Sequence, residues 1–224
     1  MSDTSAPFEA VIFDFGGVIT ASPFEAFNKL EDARGLPRDL IRRVNAADPD
    51  GNAWALLERA AISRGEFDAR FAAEAAALGH ELRGADVLAV LAGAIRPGMV
   101  AALDTIRDAG LKLGCITNNV PESSGPAMAA SATSEARYAA IFARFDSVIE
   151  SSKAGVRKPD PRIYAMMCDA LGVSAARCVY LDDLGINCKP AAAMGMAAIK
   201  VTGERQALKD LSDLLKLDLA TEAA

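Results

Sequence analysis

The chain has 224 residues, 51% of them apolar and 24% charged, a globular composition that excludes disorder, collagen and a mini-protein scaffold. With 24 Lys and Arg against 30 Asp and Glu, the net charge of −6 argues against a broad electrostatic grip on nucleic acid or anionic lipid. No charge-free apolar span reaches the ~20 residues that a membrane-crossing helix needs.

Residues 9–13 (EAVIF) form a short apolar run that stops at Asp14 and is followed by Gly16-Gly17, the pattern of a buried strand leaving its sheet through a tight turn. From about 20 to 95 no strand-like run occurs. DLIRRVNAA, AWALLERAA, GEFDARFAAEAAAL and ADVLAVLAGAI each place apolar residues at i, i+3, i+4 and i+7, which predicts four amphipathic helices burying their faces on one another. Strand-like runs return at 111–117 (LKLGCIT), 176–183 (ARCVYLDD) and 196–201 (MAAIKV), with helical-period segments between them. This alternation predicts an α/β fold: a doubly wound parallel sheet with helices on both faces.

The helical stretch is then a cap inserted after the first strand, over the carboxyl edge of the sheet where such folds bind ligands. The predicted division is a core of 1–20 and 96–224 and a cap of 21–95, with Pro97-Gly98 marking the return. Residues 118–134 (NNVPESSGPAMAASATS) read as a loop at the site's rim, and the tail LDLATEAA as frayed. No C-x-x-C occurs among the cysteines, and the N-terminus MSDTSAPFEA lacks a signal peptide's basic and apolar stretches, so reduced thiols in the cytoplasm are expected. All four cysteines read as small packed residues.

Asp14 ends an apolar strand at the ligand edge, where a carboxylate serves as nucleophile, as metal ligand or simply as a turn cap. Thr117 ends the next strand with a hydroxyl, and Asn118 and Asn119 follow with backbone and side-chain donors suited to phosphate oxygens. Lys158 stands before Pro159-Asp160-Pro161, which fixes the local backbone and places an ammonium that can neutralise an anion. Arg157 beside it is read as solvated. Asp182 and Asp183 close a third strand, and adjacent carboxylates at a buried strand end call for a cation such as Mg²⁺. Asn187 follows in the next turn, placed to orient a metal-bound water. His80, the lone histidine, reads as a surface or helix-end residue, and no G-x-S-x-G elbow accompanies it. No G-x-G-x-x-G follows the first strand and no GKS or GKT occurs, which excludes dinucleotide and P-loop readings.

In chain order, VIFDFGGVIT, GCITNN, RKPDPRIY and VYLDDLGINCKPAAAMGM resemble the four motifs of the haloacid dehalogenase-like hydrolase superfamily. The last two look most like the branch holding the N-terminal phosphatase domain of soluble epoxide hydrolase and the related domain of acyl-CoA dehydrogenase fusions. The resemblance implies that Asp14 attacks in line and becomes an aspartyl-phosphate on a small phosphorylated substrate. It implies Mg²⁺ held by Asp14, the Gly16 carbonyl and Asp183, with Asp182 and Asn187 behind them. Thr117 and Lys158 would hold the phosphoryl group, and the pattern around Trp54, Glu58 and Phe67 resembles the branch's cap. Oligomeric state is not readable.

One position departs from the pattern. Phosphatases of this superfamily usually carry a second Asp two residues after the nucleophile, as general acid and base, and here the residue is Gly16. Three readings stay open: a Mg²⁺-dependent phosphatase whose leaving group has a low pKa, a 2-haloacid dehalogenase whose halide needs no proton, or a non-catalytic module that binds phospholigands.

Overall fold

Ala10, Val11, Ile12 and Phe13 are fully buried because strand β1 (Ala10–Phe13) lies at the centre of a sheet covered by helices on both faces. The computed structural model describes residues 8–91, 93–119 and 132–219. Its sheet also contains β2 (Lys112–Thr117), β3 (Ser147–Glu150), β4 (Cys178–Asp182) and β5 (Ala197–Lys200), all parallel in the order β3-β2-β1-β4-β5. The chain winds outward from β1 in one direction, then returns to its other side. That reversal leaves a crevice at the carboxyl ends of β1, β2 and β4, where ligands bind in such sheets.

Alternation along the strands sends side chains to two faces. Val11 and Phe13 pack with α6 (Pro97–Asp108), α7 (Ala132–Phe142) and α11 (Glu204–Leu215). Ile12 and Tyr180 pack with α9 (Pro161–Leu171) and α10 (Gly185–Ala193) on the opposite face. The four expected strands are present, and β3 is a fifth that the apolar runs did not reveal: it is four residues long and half-buried throughout, so it carries little pattern.

The stretch between β1 and α6 builds a separate apolar core around Phe27, Leu40, Ile41, Phe67, Phe71 and Val87. Its helices are α1 (Pro23–Ala33), α2 (Leu40–Ala47), α3 (Ala53–Glu58), α4 (Arg64–Ala77) and α5 (Gly84–Ala89). That is five where the periodicity predicted four. The added one, α1, starts with Pro23 in its first turn, where a missing N–H is harmless. Buried Glu31 at the end of α1 accepts from the backbone N–H of Asp39 and Ile41, both at 2.8 Å, and so caps the start of α2. Ser63 and Glu66 form a reciprocal capping box on α4.

The expected helix over 85–95 is shorter than its pattern and stops at Ala89. The chain there must run back beside the outgoing segment: Ala21 N–H donates to the Ala94 carbonyl at 2.8 Å, and Thr20 bridges Ile95 in antiparallel fashion. A side chain at Gly93 would begin 2.6 Å from the Ala21 carbonyl oxygen, so this return requires glycine. Most of the expected rim loop, 120–131, and the tail residues 220–224 lie outside the described residues. Among the described residues no helix is long and apolar enough to cross a membrane.

Candidate active site

Asp14 follows the last residue of β1 and stays 8% exposed. Its Oδ1 accepts from the Phe15 backbone N–H at 2.6 Å and from Lys158 Nζ at 2.8 Å. The chain then makes one wide turn, Phe15–Ile19, closed by Thr20 N–H donating to the Phe15 carbonyl at 3.0 Å. Within it Gly17 has φ +80°, and a Cβ there would collide with the Asp183 carboxylate. Gly16 differs: its φ of −70° and ψ of 129° are open to any residue. Backbone geometry requires glycine at 17 and not at 16.

Lys158, 1% exposed, places its ammonium 2.8 Å from both Asp14 Oδ1 and Asp182 Oδ2. The rest of Asp182 is engaged by the chain itself. Its Oδ1 accepts from the Leu184 backbone N–H at 2.8 Å, its Oδ2 from the Tyr180 hydroxyl at 2.5 Å, and Asn187 Nδ2 reaches both oxygens at 3.1 Å. Tyr180 sits two residues before Asp182 on the same side of β4, and burial, reinforced by Asp182, raises its phenol well above the ordinary value, so it stays a donor. Tyr164 packs edge-to-face on Tyr180 at 5.2 Å and donates to the Asn187 carbonyl at 2.8 Å. Nothing in the local sequence marks either tyrosine as a partner of this strand end.

Asp183 faces the opposite side of the site, where Ser22 Oγ donates to its Oδ2 at 2.7 Å. Arg96 Nη1 donates to the Gly17 carbonyl at 2.7 Å, pinning the turn between them. Burial pushes the Asp14 carboxyl well above the usual range against the pull of Lys158, with Asp182 and Asp183 adding to the rise. Burial likewise raises Asp183, opposed by the Ser22 hydrogen bond. Burial alone would lower the Lys158 ammonium, but Asp14 and Asp182 outweigh it and raise it above its ordinary value. The cluster is short of positive charge: Asp14, Asp182 and Asp183 bring one oxygen each within 4.8 Å of one another. An all-oxygen, carboxylate-rich set of this kind suits a hard divalent cation.

Thr117 ends β2, 3% exposed, and lines the same cavity. The two asparagines after it, expected to offer side-chain donors to phosphate, have those groups engaged with the protein. Asn118 Oδ1 accepts from the Lys158 N–H at 2.9 Å while its Nδ2 donates to the Lys158 carbonyl at 3.1 Å, so one amide clamps both sides of the lysine. Asn119 Nδ2 donates to Glu150 Oε1 at 3.0 Å, and its Oδ1 accepts from Ser152 N–H at 3.2 Å and Ser152 Oγ at 2.9 Å.

Arg157 overturns the solvated reading: its side chain is 18% exposed and its Nε donates to Glu58 Oε2 at 2.6 Å. The error has a physical cause, since the partner sits in the helical insertion, 99 residues away in sequence. Above the strand ends opens a cavity of about 950 Å³ whose roof includes Phe24, Phe27, Asn28, Arg42 and Trp54. Phe24, Phe27 and Trp54 meet edge-to-face at 5.9 Å, and the Arg42 guanidinium lies 3.9 Å over the Phe24 ring.

A family model for haloacid dehalogenase-like hydrolases matches residues 8–195, and the chain belongs to that family of hydrolases. It is 34% identical over 220 residues to Phosphatase MT3486 of Mycobacterium tuberculosis, covering 92% of this chain and 94% of that protein. It is 31% identical over 217 residues to Acyl-CoA dehydrogenase family member 10 of Mus musculus, covering 95% of this chain and 20% of that much longer protein. The fold is shared with a HAD-like family hydrolase from Porphyromonas gingivalis, with a TM-score of 0.64 at 21% identity, covering 95% of this chain and 100% of that one.

Proposed function

We propose that the protein is a Mg²⁺-dependent phosphatase of small phosphorylated metabolites, working through an aspartyl-phosphate on Asp14. The observation that carries this reading is the pairing of Asp14, at the end of the central strand, with the buried Lys158 ammonium at 2.8 Å and the second acid Asp183 across the same turn. The match along nearly the full length of a named phosphatase supports it. Asp14, the Gly16 carbonyl and Asp183 are the groups that would hold Mg²⁺, which supplies charge neutralisation to the phosphoryl oxygens. Asp182 and Asn187 act from behind, holding Lys158 and the strand end.

A carboxylate oxygen of Asp14 attacks phosphorus in line as the bond to the leaving-group oxygen breaks and that oxygen takes the electron pair. Thr117 and Lys158 hold phosphoryl oxygens, with the Asn118–Asn119 segment lining that side, and Lys158 offsets the charge that develops there. Water then attacks the phosphorus of the aspartyl-phosphate. The bond between phosphorus and the Asp14 oxygen breaks with its electron pair returning to the carboxylate, and the water proton leaves with the phosphate or to solvent, which frees inorganic phosphate and restores Asp14. In this reading residues 1–20 and 96–224 form the catalytic core. Residues 21–95 are the cap that roofs the cavity, keeps bulk solvent out while the aspartyl-phosphate forms and contacts the leaving group.

Gly16 brings no carboxyl group to the leaving oxygen. A positioned acid contributes about 10²–10⁴-fold, so the substrates that fit are those whose leaving group departs without one: acyl phosphates and anomeric phosphates. Gly16 also fits a haloacid dehalogenase or a phosphate-binding module. The acidic pair Asp182-Asp183 argues against the dehalogenase, whose halide displacement needs no metal, and one experiment separates the three. Phosphate release is followed from acetyl phosphate and an activated aryl phosphate, with Mg²⁺ or with chelator, beside Asp14→Asn. Turnover is expected to need Mg²⁺ and to fall by at least about 10³-fold in Asp14→Asn. Halide release from a 2-haloacid in chelator overturns the phosphatase reading in favour of the dehalogenase, and phosphate binding without turnover overturns it in favour of the module.

A further inference from the structure

Glu58 closes α3, 6% exposed, and every polar atom of its side chain and its carbonyl is engaged. Its Oε1 accepts from Trp54 Nε1 at 2.8 Å, within the helical insertion. Its Oε2 accepts from Arg157 Nε at 2.6 Å, and its carbonyl accepts from Ser151 Oγ at 2.7 Å. Arg157 and Ser151 belong to the other part of the molecule, Ser151 opening the short helix α8 (Ser151–Ala154). Arg157 also donates from Nη1 to the Pro49 carbonyl of the insertion at 3.2 Å.

Both core partners lead directly into the site. Arg157 is bonded through the backbone to Lys158, whose N–H and carbonyl are clamped by Asn118. Ser151 Oγ accepts from the Asn119 backbone N–H at 3.1 Å. One buried carboxylate and its own carbonyl therefore grip the two segments that present Thr117–Asn119 and Lys158, while the second carboxylate oxygen fixes Trp54, part of the cavity roof. An ion pair at 18% and 7% side-chain exposure is shielded from solvent screening, and breaking one side leaves a buried charge without its partner.

We infer that Glu58, through Arg157, is a positioning residue that couples docking of the helical insertion to the placement of Lys158. With the insertion docked, Trp54 is set against the leaving group and the Lys158 ammonium is held against Asp14; with it undocked, both lose a support at once. The inference rests on the phosphatase reading for what Lys158 does. It goes further in assigning control of that ammonium to a residue that does not touch the reacting atoms.

The test uses the intact chain as wild type, Glu58→Gln, Arg157→Gln, Arg157→Lys and the Glu58→Gln/Arg157→Gln pair. Thermal melts identify the temperature range in which all are folded. Steady-state hydrolysis of acetyl phosphate with Mg²⁺ is expected to show kcat about tenfold lower in Glu58→Gln and in Arg157→Gln. The pair is expected to be no worse than either single change, because the two residues act as one unit. Arg157→Lys, which keeps the charge, is expected to recover part of the loss. Trp54 is the only tryptophan in the chain, so its emission reports the roof directly and is expected to shift to the red in both single variants.

Unchanged kcat in the singles, or losses that multiply in the pair, overturns the coupling; so does a kcat loss with unshifted Trp54 emission. Failure of the phosphatase reading is distinguishable, because the wild type itself would then release no phosphate from acetyl phosphate with Mg²⁺, whereas failure of the coupling alone leaves wild-type turnover intact.

Discussion

The floor and the roof of the cavity are held by different physics. On the floor, Asp14, Thr117, Lys158, Asp182 and Asp183 sit at strand ends or on a clamped loop, and hydrogen bonds to the backbone at Phe15, Leu184 and Asn118's partner Lys158 fix their directions. On the roof, Phe24, Phe27 and Trp54 project from helices and are placed by ring contacts at 5.9 Å, with Trp54 also held by its hydrogen bond to Glu58. Charge on the floor is concentrated and short of compensation, whereas the roof mixes aromatic rings with polar and charged side chains, among them Glu25, Asn28 and Arg42. A floor of this kind tolerates almost no change in group or position, while the roof rings away from the Glu58 contact, Phe24 and Phe27, can repack with less effect on the chemistry. Under the proposed phosphatase function, the reaction belongs to the sheet and the choice of leaving group to the helices.

The harshest way to break that contrast is to remove Lys158, the buried cation of the floor. Lys158→Met keeps most of the volume but strands Asp14 and Asp182, 2.8 Å away on either side, without a countercharge. Truncating one member of a buried charged group typically destabilises by about 3–5 kcal/mol, and urea unfolding in chelator should show a loss of that size together with complete loss of phosphate release. A loss below about 1 kcal/mol, the range of a surface ion pair, would mean that the floor is not organised around this ammonium.

Gly16→Asp sharpens the contrast, because it changes the floor's chemistry without changing its backbone. The extended φ and ψ at Gly16 accept an aspartate, and the residue lines the cavity. The variant should gain about 10²-fold in kcat/KM, which reports formation of the aspartyl-phosphate, on an alkyl phosphate whose leaving oxygen needs a proton, and little in kcat/KM on acetyl phosphate, whose leaving group does not. Equal effects on the two substrates would show that leaving-group protonation is not what the glycine removes.

The same division decided what the sequence could reveal. Asp14, Thr117 and the Asp182-Asp183 pair were legible because unbroken apolar runs locate strand ends, and a polar residue at such an end has few places to point. Strand β3 was not, since four half-buried residues carry no distinctive period. Helix α1 lies outside the four helical patterns, although Pro23 in its first turn is a start signal. Arg157 read as solvated because periodicity tells which face is buried and never which distant residue covers it. Asn119 was expected to reach phosphate and is instead held by Glu150 and Ser152, partners that its local sequence does not disclose.

Ser22 belongs to both halves of the comparison, and it gives the mildest and most discriminating prediction. It occupies the position that caps α1, yet its side chain makes no capping bond; its hydroxyl donates to Asp183 Oδ2 at 2.7 Å, across 161 residues of sequence. The helix that starts the roof thus begins with a residue whose side chain serves the floor. Partners behind a metal-binding carboxylate orient it, and losing one commonly weakens metal affinity or activity about 10–100-fold. Ser22→Ala should raise the Mg²⁺ concentration for half-maximal phosphate release by about tenfold and leave the maximal rate at saturating Mg²⁺ close to that of wild type, while Ser22→Thr, which keeps the hydroxyl, should stay near the original value. A Mg²⁺ titration that does not move in Ser22→Ala would assign the serine to the roof alone, because the orientation of Asp183 would then be set without it, by the turn that Gly17 leaves room for.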